Sequence, residues 1–138
     1  MSTLTLAMLM NLSFLTAPGQ TYDEAYRLAM ADQNRPLVVL VGADWCPACQ
    51  SMKQAVLPQV QQDGGLNHVA FAMVNTDRDS KLANQLMSGG SIPQLVMFVK
   101  TDKGWTRQQL TGGQSVTTVE RFIASGIVET PIATTASR

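Results

Sequence analysis

The chain reads Leu37-Val38-Val39-Leu40-Val41-Gly42-Ala43-Asp44-Trp45-Cys46-Pro47-Ala48-Cys49 at its most informative point. The first five residues form a continuous run of Leu and Val, the pattern expected of a strand covered on both faces. Cys46 then opens a predicted helix, and Pro47 fits the first turn because the N–H that proline lacks would have no partner there. A thiol pair three positions apart at such a junction can close and open a disulfide.

Cys46 and Cys49 are the only cysteines among the 138 residues, and their places on the predicted helix differ. The Cys46 sulfur lies over the helix N-terminus, where unpaired N–H groups and the helix dipole favour a thiolate. Cys49 lies one turn further along, within reach of a mixed disulfide formed at Cys46. We therefore expect Cys46 to be the more accessible sulfur and to titrate below the ~8.5 of a free thiol, and Cys49 not to do so.

The cysteine pair has three other interpretations. A structural zinc site needs four ligands, usually a second cysteine pair or two histidines. The chain has no third cysteine and one histidine, His68, so it has too few such ligands for a zinc site of its own. Two buried structural thiols, and a metal carrier that shares ligands with a partner, remain open alternatives to a redox-active pair.

The length and the charge of the chain limit the classes of protein to which it can belong. A chain of 138 residues forms one domain with a core of its own. The ten basic and ten acidic residues cancel, and no basic run occurs, so the sequence does not favour a nucleic-acid partner.

The N-terminal residues 1–20 form an apolar segment that predicts a signal or an anchor. Its apolar part, Leu4 to Leu15, is shorter than the ~20 residues of a membrane-spanning helix and suits a secretory signal, with Ala17 before a possible cleavage point. We therefore expect an exported protein, periplasmic or extracytoplasmic, with the cytoplasm as the alternative. Membrane association is expected only if the segment is an uncleaved anchor, and the remaining interpretation is a segment that packs on the domain.

The remaining pattern predicts alternating helices and strands. The predicted helices are Thr21 to Gln33 with a Thr21–Glu24 capping box, a helix from Cys46 that Pro58 kinks or breaks, Asp79 to Met87, and a last helix capped by Ser115. The predicted strands are Leu37 to Val41, His68 to Val74, Leu95 to Val99 and Trp105 to Leu110. This order indicates an α/β fold with a parallel crossover followed by an antiparallel hairpin, in one domain over residues 21–128 with a tail over 129–138.

The order of elements, the Ala43-to-Cys49 stretch after a buried strand and Ser91-Ile92-Pro93-Gln94 before another resemble the thioredoxin superfamily. The resemblance covers roughly Thr21 to Ile127. It is strongest to the single-domain thioredoxin-like proteins of bacteria, and the chain is also similar to the periplasmic C-terminal domain of the transmembrane thiol-disulfide reductant transporter. It implies a central mixed four-stranded sheet flanked by helices, with an N-terminal helix before the central strand.

The resemblance also implies the roles of individual residues. Cys46 is the attacking thiolate and Cys49 the resolving thiol of a redox-active disulfide, and no metal or organic cofactor is needed. The implied substrate-binding residues are Trp45, Pro47, Ile92, Pro93 and Gly112. Pro93 is implied to be a cis-proline that turns the Ile92 backbone towards a substrate strand. The alternatives are a plain strand-opening proline at Pro93, a core aromatic at Trp45, and Gly113 in place of Gly112.

Two positions depart from the family pattern, and they bear on the predicted function. Leu40 stands where the family usually buries an Asp, and Met73 stands where a partner Lys is often found, so the proton of Cys49 needs water, the Asp44 carboxylate or a substrate group. No charged residue lies between the cysteines, which favours a reductase over an oxidase. We expect a monomeric protein thiol–disulfide oxidoreductase with protein disulfide or dithiol clients and a redox partner protein. The alternative is a redox-switched peptide-binding module without efficient turnover.

Overall fold

Strand β1 (Leu37–Gly42) lies inside the sheet of the computed structural model, which describes residues 21–32 and 35–129. Its residues 37–41 are all buried, as the continuous apolar run predicts. It pairs in parallel with β2 (Ala70–Asn75) and antiparallel with β3 (Gln94–Thr101), which pairs antiparallel with β4 (Gly104–Thr111). The resulting four-stranded order, β2-β1-β3-β4, confirms the predicted mixed sheet and the α/β class.

The helices lie on both faces of this sheet. They are α1 (Tyr22–Ala31), α2 (Pro47–Ser51), α3 (Leu57–Gln62), α4 (Ser80–Leu86) and α5 (Val116–Glu129). Alternate residues of β1 point to opposite faces. Val38 and Leu40 pack with residues of α3 and α5, whereas Val39 and Val41 pack with the alanines of α1 and α4. Each face of the central strand therefore has its own buried cluster.

Helix α1 begins with the predicted capping box. The Thr21 hydroxyl accepts the N–H of Glu24 at 3.3 Å, and the Glu24 carboxylate accepts the N–H of Thr21 at 3.1 Å. These two bonds satisfy N–H groups that the start of a helix leaves without partners. The helix ends at Ala31, and the predicted end at Gln33 lies outside the described residues.

The helix that follows the cysteines continues through Pro58. Of the predicted kink or break at this residue, the break is therefore wrong. A π-helical turn, Met52–Val56, joins α2 to α3, and Pro58 lies in the first turn of α3. Within this turn the N–H of Leu57 donates to the carbonyl of Met52, five residues back. Because proline is tolerated in a first turn but not in the middle of a helix, the wider turn lets the helix continue.

The predicted start of β2 is also wrong. His68 is exposed and lies in the turn over residues 63–68, not in the strand, which begins at Ala70. The parallel pairing with β1 begins at Leu37 opposite Ala70, so residues before Ala70 have no β1 residue to pair with. The apolar pattern of one strand does not show where its partner strand begins, so the pattern alone could not predict this boundary.

The predictions for the two ends of the chain concern residues that the structure does not describe. The predicted signal or anchor over residues 1–20 falls there, as do residues 130–138 of the predicted tail, while α5 runs to Glu129. Within residues 21–32 and 35–129, no helix combines the length and the apolar character needed to cross a membrane.

Candidate active site

The loop after β1 leads directly into the cysteine pair. Cys46 is the N-cap of α2, Pro47 is its first residue, and the Cys46 sulfur accepts the N–H of Cys49 at 3.2 Å. Cys46 and Cys49 form a disulfide with their Cα atoms 5.2 Å apart. The predicted strand-to-helix junction is therefore present, and one backbone N–H at the start of the helix is directed at the first sulfur.

Both cysteines are buried in this disulfide form. Cys46 exposes 6% of its surface and Cys49 exposes 4%. Cys46 is therefore the more exposed of the two, as expected, but only by a small margin. What distinguishes the two residues is their surroundings. The Cys46 sulfur receives a hydrogen bond at the helix start, whereas the Cys49 sulfur packs against the β1 backbone at Gly42.

The residues beneath Cys49 include the two that depart from the family pattern. Leu40 and Met73 face each other across the β1–β2 pair. Together with Cys49 they line a cavity of about 130 Å³. Neither of these two side chains can exchange a proton with the resolving cysteine, so the prediction that its proton needs water, the Asp44 carboxylate or a substrate group stays open.

Gly42 gives Cys49 the space it occupies. A Cβ at this position would lie 3.0 Å from both the Cβ and the sulfur of Cys49, closer than ordinary van der Waals contact. We expect Gly42→Ala to lower the free energy of unfolding of the oxidised protein by about 1–3 kcal/mol, the usual cost of overpacking, in a urea titration. Gly113→Ala is the matched control, because its Cβ would lie 3.8 Å from that of Ala48, and an equal loss in the two variants would contradict the prediction.

Trp45 lies outside the core, so its interpretation as a core aromatic is wrong. It exposes 69% of its surface beside the disulfide. Its indole N–H donates to the Asp77 carboxylate at 3.0 Å, which fixes the ring although most of it faces solvent. The preceding Asp44 is exposed, as predicted, and pairs with Arg78 at 3.2 Å.

The Ile92–Pro93 loop lies next to the cysteines. The peptide bond between these residues is cis, and Ile92 packs against the buried cluster of Ala43, Cys46 and Cys49. The Pro93 carbonyl accepts the N–H of Gly112 at 2.8 Å, which joins this loop to the one after β4.

The two glycines after β4 differ in conformation and in surroundings. Gly112 adopts φ +85°, a left-handed conformation that favours glycine, while Gly113 lies against Ala48 beside the disulfide. Gly112 is therefore the glycine that the turn requires, and Gly113 is the one whose Cα faces α2.

Sequence reasoning missed the role of Gln94. It is the one charged or polar residue classed as buried within the described part of the chain. Its side-chain amide donates to the carbonyls of Ser88, Gly89 and Ser91 at 3.0, 3.3 and 2.9 Å, and its oxygen accepts the N–H of Ser88 at 3.2 Å. These bonds hold the loop that leads to Pro93. A glutamine beginning an apolar strand was the available signal.

Trp105, in β4, lies away from the disulfide. Trp105 exposes 43% of its surface and lines a separate cavity with Tyr22, Tyr26 and Met30, so the hairpin residue takes no part in the cysteine site. Within the described residues no three His, Cys, Asp or Glu side chains are grouped as a metal site would require.

Comparison with known proteins agrees with the geometry. Residues 17–100 match the model of a family described as thioredoxin-like. The chain is similar to the thiol:disulfide interchange protein TxlA homolog of Synechocystis sp., with 32% identity over 112 residues, 80% of this chain and 60% of that protein. It is also similar to thioredoxin 1 of Nostoc sp., with 30% identity over 84 residues, 61% of this chain and 76% of that protein. The chain thus spans only about 60% of the length of the first of these relatives.

The fold is that of solved thioredoxins. A thioredoxin from Thermus thermophilus superposes with a TM-score of 0.69 at 24% identity, covering 85% of this chain and 92% of that one. Chloroplastic thioredoxin z superposes with a TM-score of 0.61 at 19% identity, covering 79% and 92%. The predicted thioredoxin-like fold is therefore confirmed. Since the family match spans strands β1 and β2 and the whole disulfide region between them, we conclude that the chain belongs to the thioredoxin-like family.

Proposed function

We propose that this protein is a thiol–disulfide oxidoreductase that exchanges electrons with protein clients through Cys46 and Cys49. The observation that carries the proposal is the hydrogen bond from the Cys49 N–H to the Cys46 sulfur at the start of a helix, between two cysteines already joined as a disulfide. In the reduced protein the same N–H supports a thiolate at Cys46, which is the reactive form in disulfide exchange.

The reaction proceeds in two displacements in the reducing direction. The Cys46 thiolate attacks one sulfur of a client disulfide, the client S–S bond breaks, and the departing client thiolate takes up a proton. The Cys49 thiol then loses its proton and attacks the Cys46 sulfur, releasing the second client thiol and leaving the Cys46–Cys49 disulfide. A redox partner protein returns the two electrons and two protons that this cycle has given to the client.

The client binds across the surface beside the disulfide. Trp45, Pro47, Ile92, Pro93 and Gly112 are the proposed substrate-binding residues. The exposed indole of Trp45 offers apolar contact area, and Ile92 packs against the buried cluster that contains the two cysteines. An extended client segment pairs with the backbone of the Ile92–Pro93 loop, in the manner of a peptide added to a sheet edge. Gly112, where an added Cβ would meet nothing within 4 Å, leaves room for the backbone of a client, and Gly113 is the alternative for this role.

We propose further that the protein acts as a monomeric reductase in an exported compartment. Pro47 and Ala48 carry no charge that would stabilise the reduced pair, which supports electron donation over oxidation. Export rests on the apolar residues 1–20. A redox partner is required because each cycle leaves Cys46 and Cys49 joined as a disulfide, which must be reduced before the next client reacts.

A peptide-binding module with a redox switch is the second candidate function. Leu40 and Met73 favour this candidate, because at these two positions the resolving thiol meets neither an acid nor a base. It predicts equal peptide binding to the oxidised protein and to the Cys46→Ser/Cys49→Ser variant, without exchange. The oxidoreductase predicts exchange that depends on both sulfurs.

Reduction of insulin by dithiothreitol tests the proposed activity. We expect the wild-type protein to accelerate precipitation of the insulin B chain. We expect Cys46→Ser to reduce the rate to that of dithiothreitol alone, because the remaining thiol, Cys49, is buried and has no N–H directed at its sulfur as Cys46 has. Lys81→Met is the control, since Lys81 is an exposed residue of α4. Equal rates for wild-type protein and Cys46→Ser would end the proposal.

A further inference from the structure

The cavity beneath Cys49 is lined by both apolar and charged side chains. Leu40 and Met73 line it together with Cys49, and its charged lining residues are Asp44, Lys53 and Arg78. Besides Cys49 itself, these are the only titratable side chains that line it, and they come from the loop after β1, the helix that carries Cys49 and the turn after β2. A volume of about 130 Å³ holds several water molecules, since one needs roughly 10–15 Å³ measured in the same way.

Lys53 supplies the uncompensated charge of this cavity. Asp44 and Arg78 neutralise each other in an ion pair of 3.2 Å. Within residues 21–32 and 35–129, neither ion pair involves Lys53. Lys53 follows Cys49 by one turn of the same helix, and both side chains line the cavity. Lys53 is exposed. One positive charge without an ion-pair partner among the described residues therefore borders the same water-accessible space as the resolving cysteine.

We propose that Lys53 is a positioning residue for the resolving step, and that its ammonium group, acting through the cavity water, favours the thiolate of Cys49. This inference rests on the proposed oxidoreductase function and assigns a role within it. Burial beside Leu40 and Met73 makes a charged sulfur at Cys49 costly. A nearby ammonium group offsets part of that cost, and the cavity water carries away the proton.

The step that Lys53 assists balances in atoms and charge. The Cys49 S–H bond breaks and its proton passes to cavity water, while the Cys49 sulfur forms a bond to the Cys46 sulfur. The bond between Cys46 and the client sulfur breaks, and the departing thiolate takes up a proton from solvent. Lys53 keeps its proton throughout, so its contribution is electrostatic and does not consume a co-reactant.

Stopped-flow reaction of the reduced protein with dithiobis(nitrobenzoate) separates this step from the first. Attack by Cys46 releases one nitrothiobenzoate anion at a rate proportional to reagent concentration. Resolution by Cys49 releases the second at a rate independent of reagent. We expect Lys53→Met to slow the second phase about threefold at neutral pH and to shift its pH profile upwards, as one partly screened charge would do.

Two further variants and a salt series make the test specific. Lys53→Arg should restore the second phase because it keeps the charge, and Lys81→Met, which removes an exposed lysine outside the cavity lining, should leave both phases unchanged. The Lys53→Met effect should shrink at 1 M salt, where the screening length is about 3 Å. An unchanged second phase in Lys53→Met, or an equally slow one in Lys53→Arg, would overturn the inference. Absence of both phases in the wild-type protein would instead refute the proposed function.

Discussion

Replacing Cys49 with serine is expected to convert the protein from a turnover enzyme into a covalent trap. Cys46 keeps its N-cap position and the N–H of residue 49, so it still attacks a client disulfide. The resolving sulfur is absent, so the mixed disulfide persists. We expect turnover in the insulin assay to fall by at least about 100-fold, equivalent to roughly 2.7 kcal/mol of activation free energy. When the pre-reduced variant is mixed with client in the absence of dithiothreitol, non-reducing electrophoresis should show one client per protein molecule, and later addition of dithiothreitol should release it.

The Cys46→Ser/Cys49→Ser variant is the control for trapping, and it should form no adduct. Trapping by Cys46→Ser alone, at the rate shown by Cys49→Ser, would contradict the assignment of Cys46 as the attacking residue. Failure of both single variants to form an adduct would favour the peptide-binding module instead.

Replacing Gln94 with alanine is expected to have the largest effect on stability of any polar substitution discussed. Gln94 is completely buried, and its amide makes four hydrogen bonds to the backbone of residues 88–91. Loss of these bonds leaves a void and backbone groups that solvent only partly reaches. We expect the free energy of unfolding to fall by about 2–3 kcal/mol in a urea titration.

The Gln94→Ala variant should also impair client binding, because the loop it releases leads directly to Ile92 and Pro93. We expect the KM for the client to rise and kcat to change less. Gln61→Ala, an exposed glutamine of α3, is the matched control and should stay within about 0.5 kcal/mol of the wild-type protein. Similar losses in the two variants would show that Gln94 does not hold the loop.

The features predictable from the sequence are those whose signals are local. The Leu and Val run of β1 and the Thr21–Glu24 capping box each specify their element with a few adjacent residues. The same holds for the helix that begins after Cys46, where the capping residue and Pro47 are neighbours. These signals, together with the alternation of elements, were sufficient for the mixed sheet and for the cysteine site.

The features that the sequence did not reveal depend on contacts between distant segments. The start of β2 is set by its partner strand, and the π-helical turn before Pro58 by the way one helix accommodates a proline. Asp77 reaches Trp45 from 32 residues away. Gln94 has nearby partners, but only the folded loop presents their carbonyls to it. The charged residues that line the Cys49 cavity, Asp44, Lys53 and Arg78, come from three separate parts of the fold. No single stretch of sequence therefore shows that they lie together.

Reaction of each sulfur with iodoacetamide across pH tests most directly whether the helix start distinguishes the two cysteines. The fully reduced protein is labelled for short times, and the modified peptides are quantified separately by mass spectrometry. The account predicts that Cys46 reaches half of its maximal rate below the ~8.5 expected of a free thiol, while buried Cys49 does so only at higher pH. Indistinguishable profiles for the two sulfurs would contradict it.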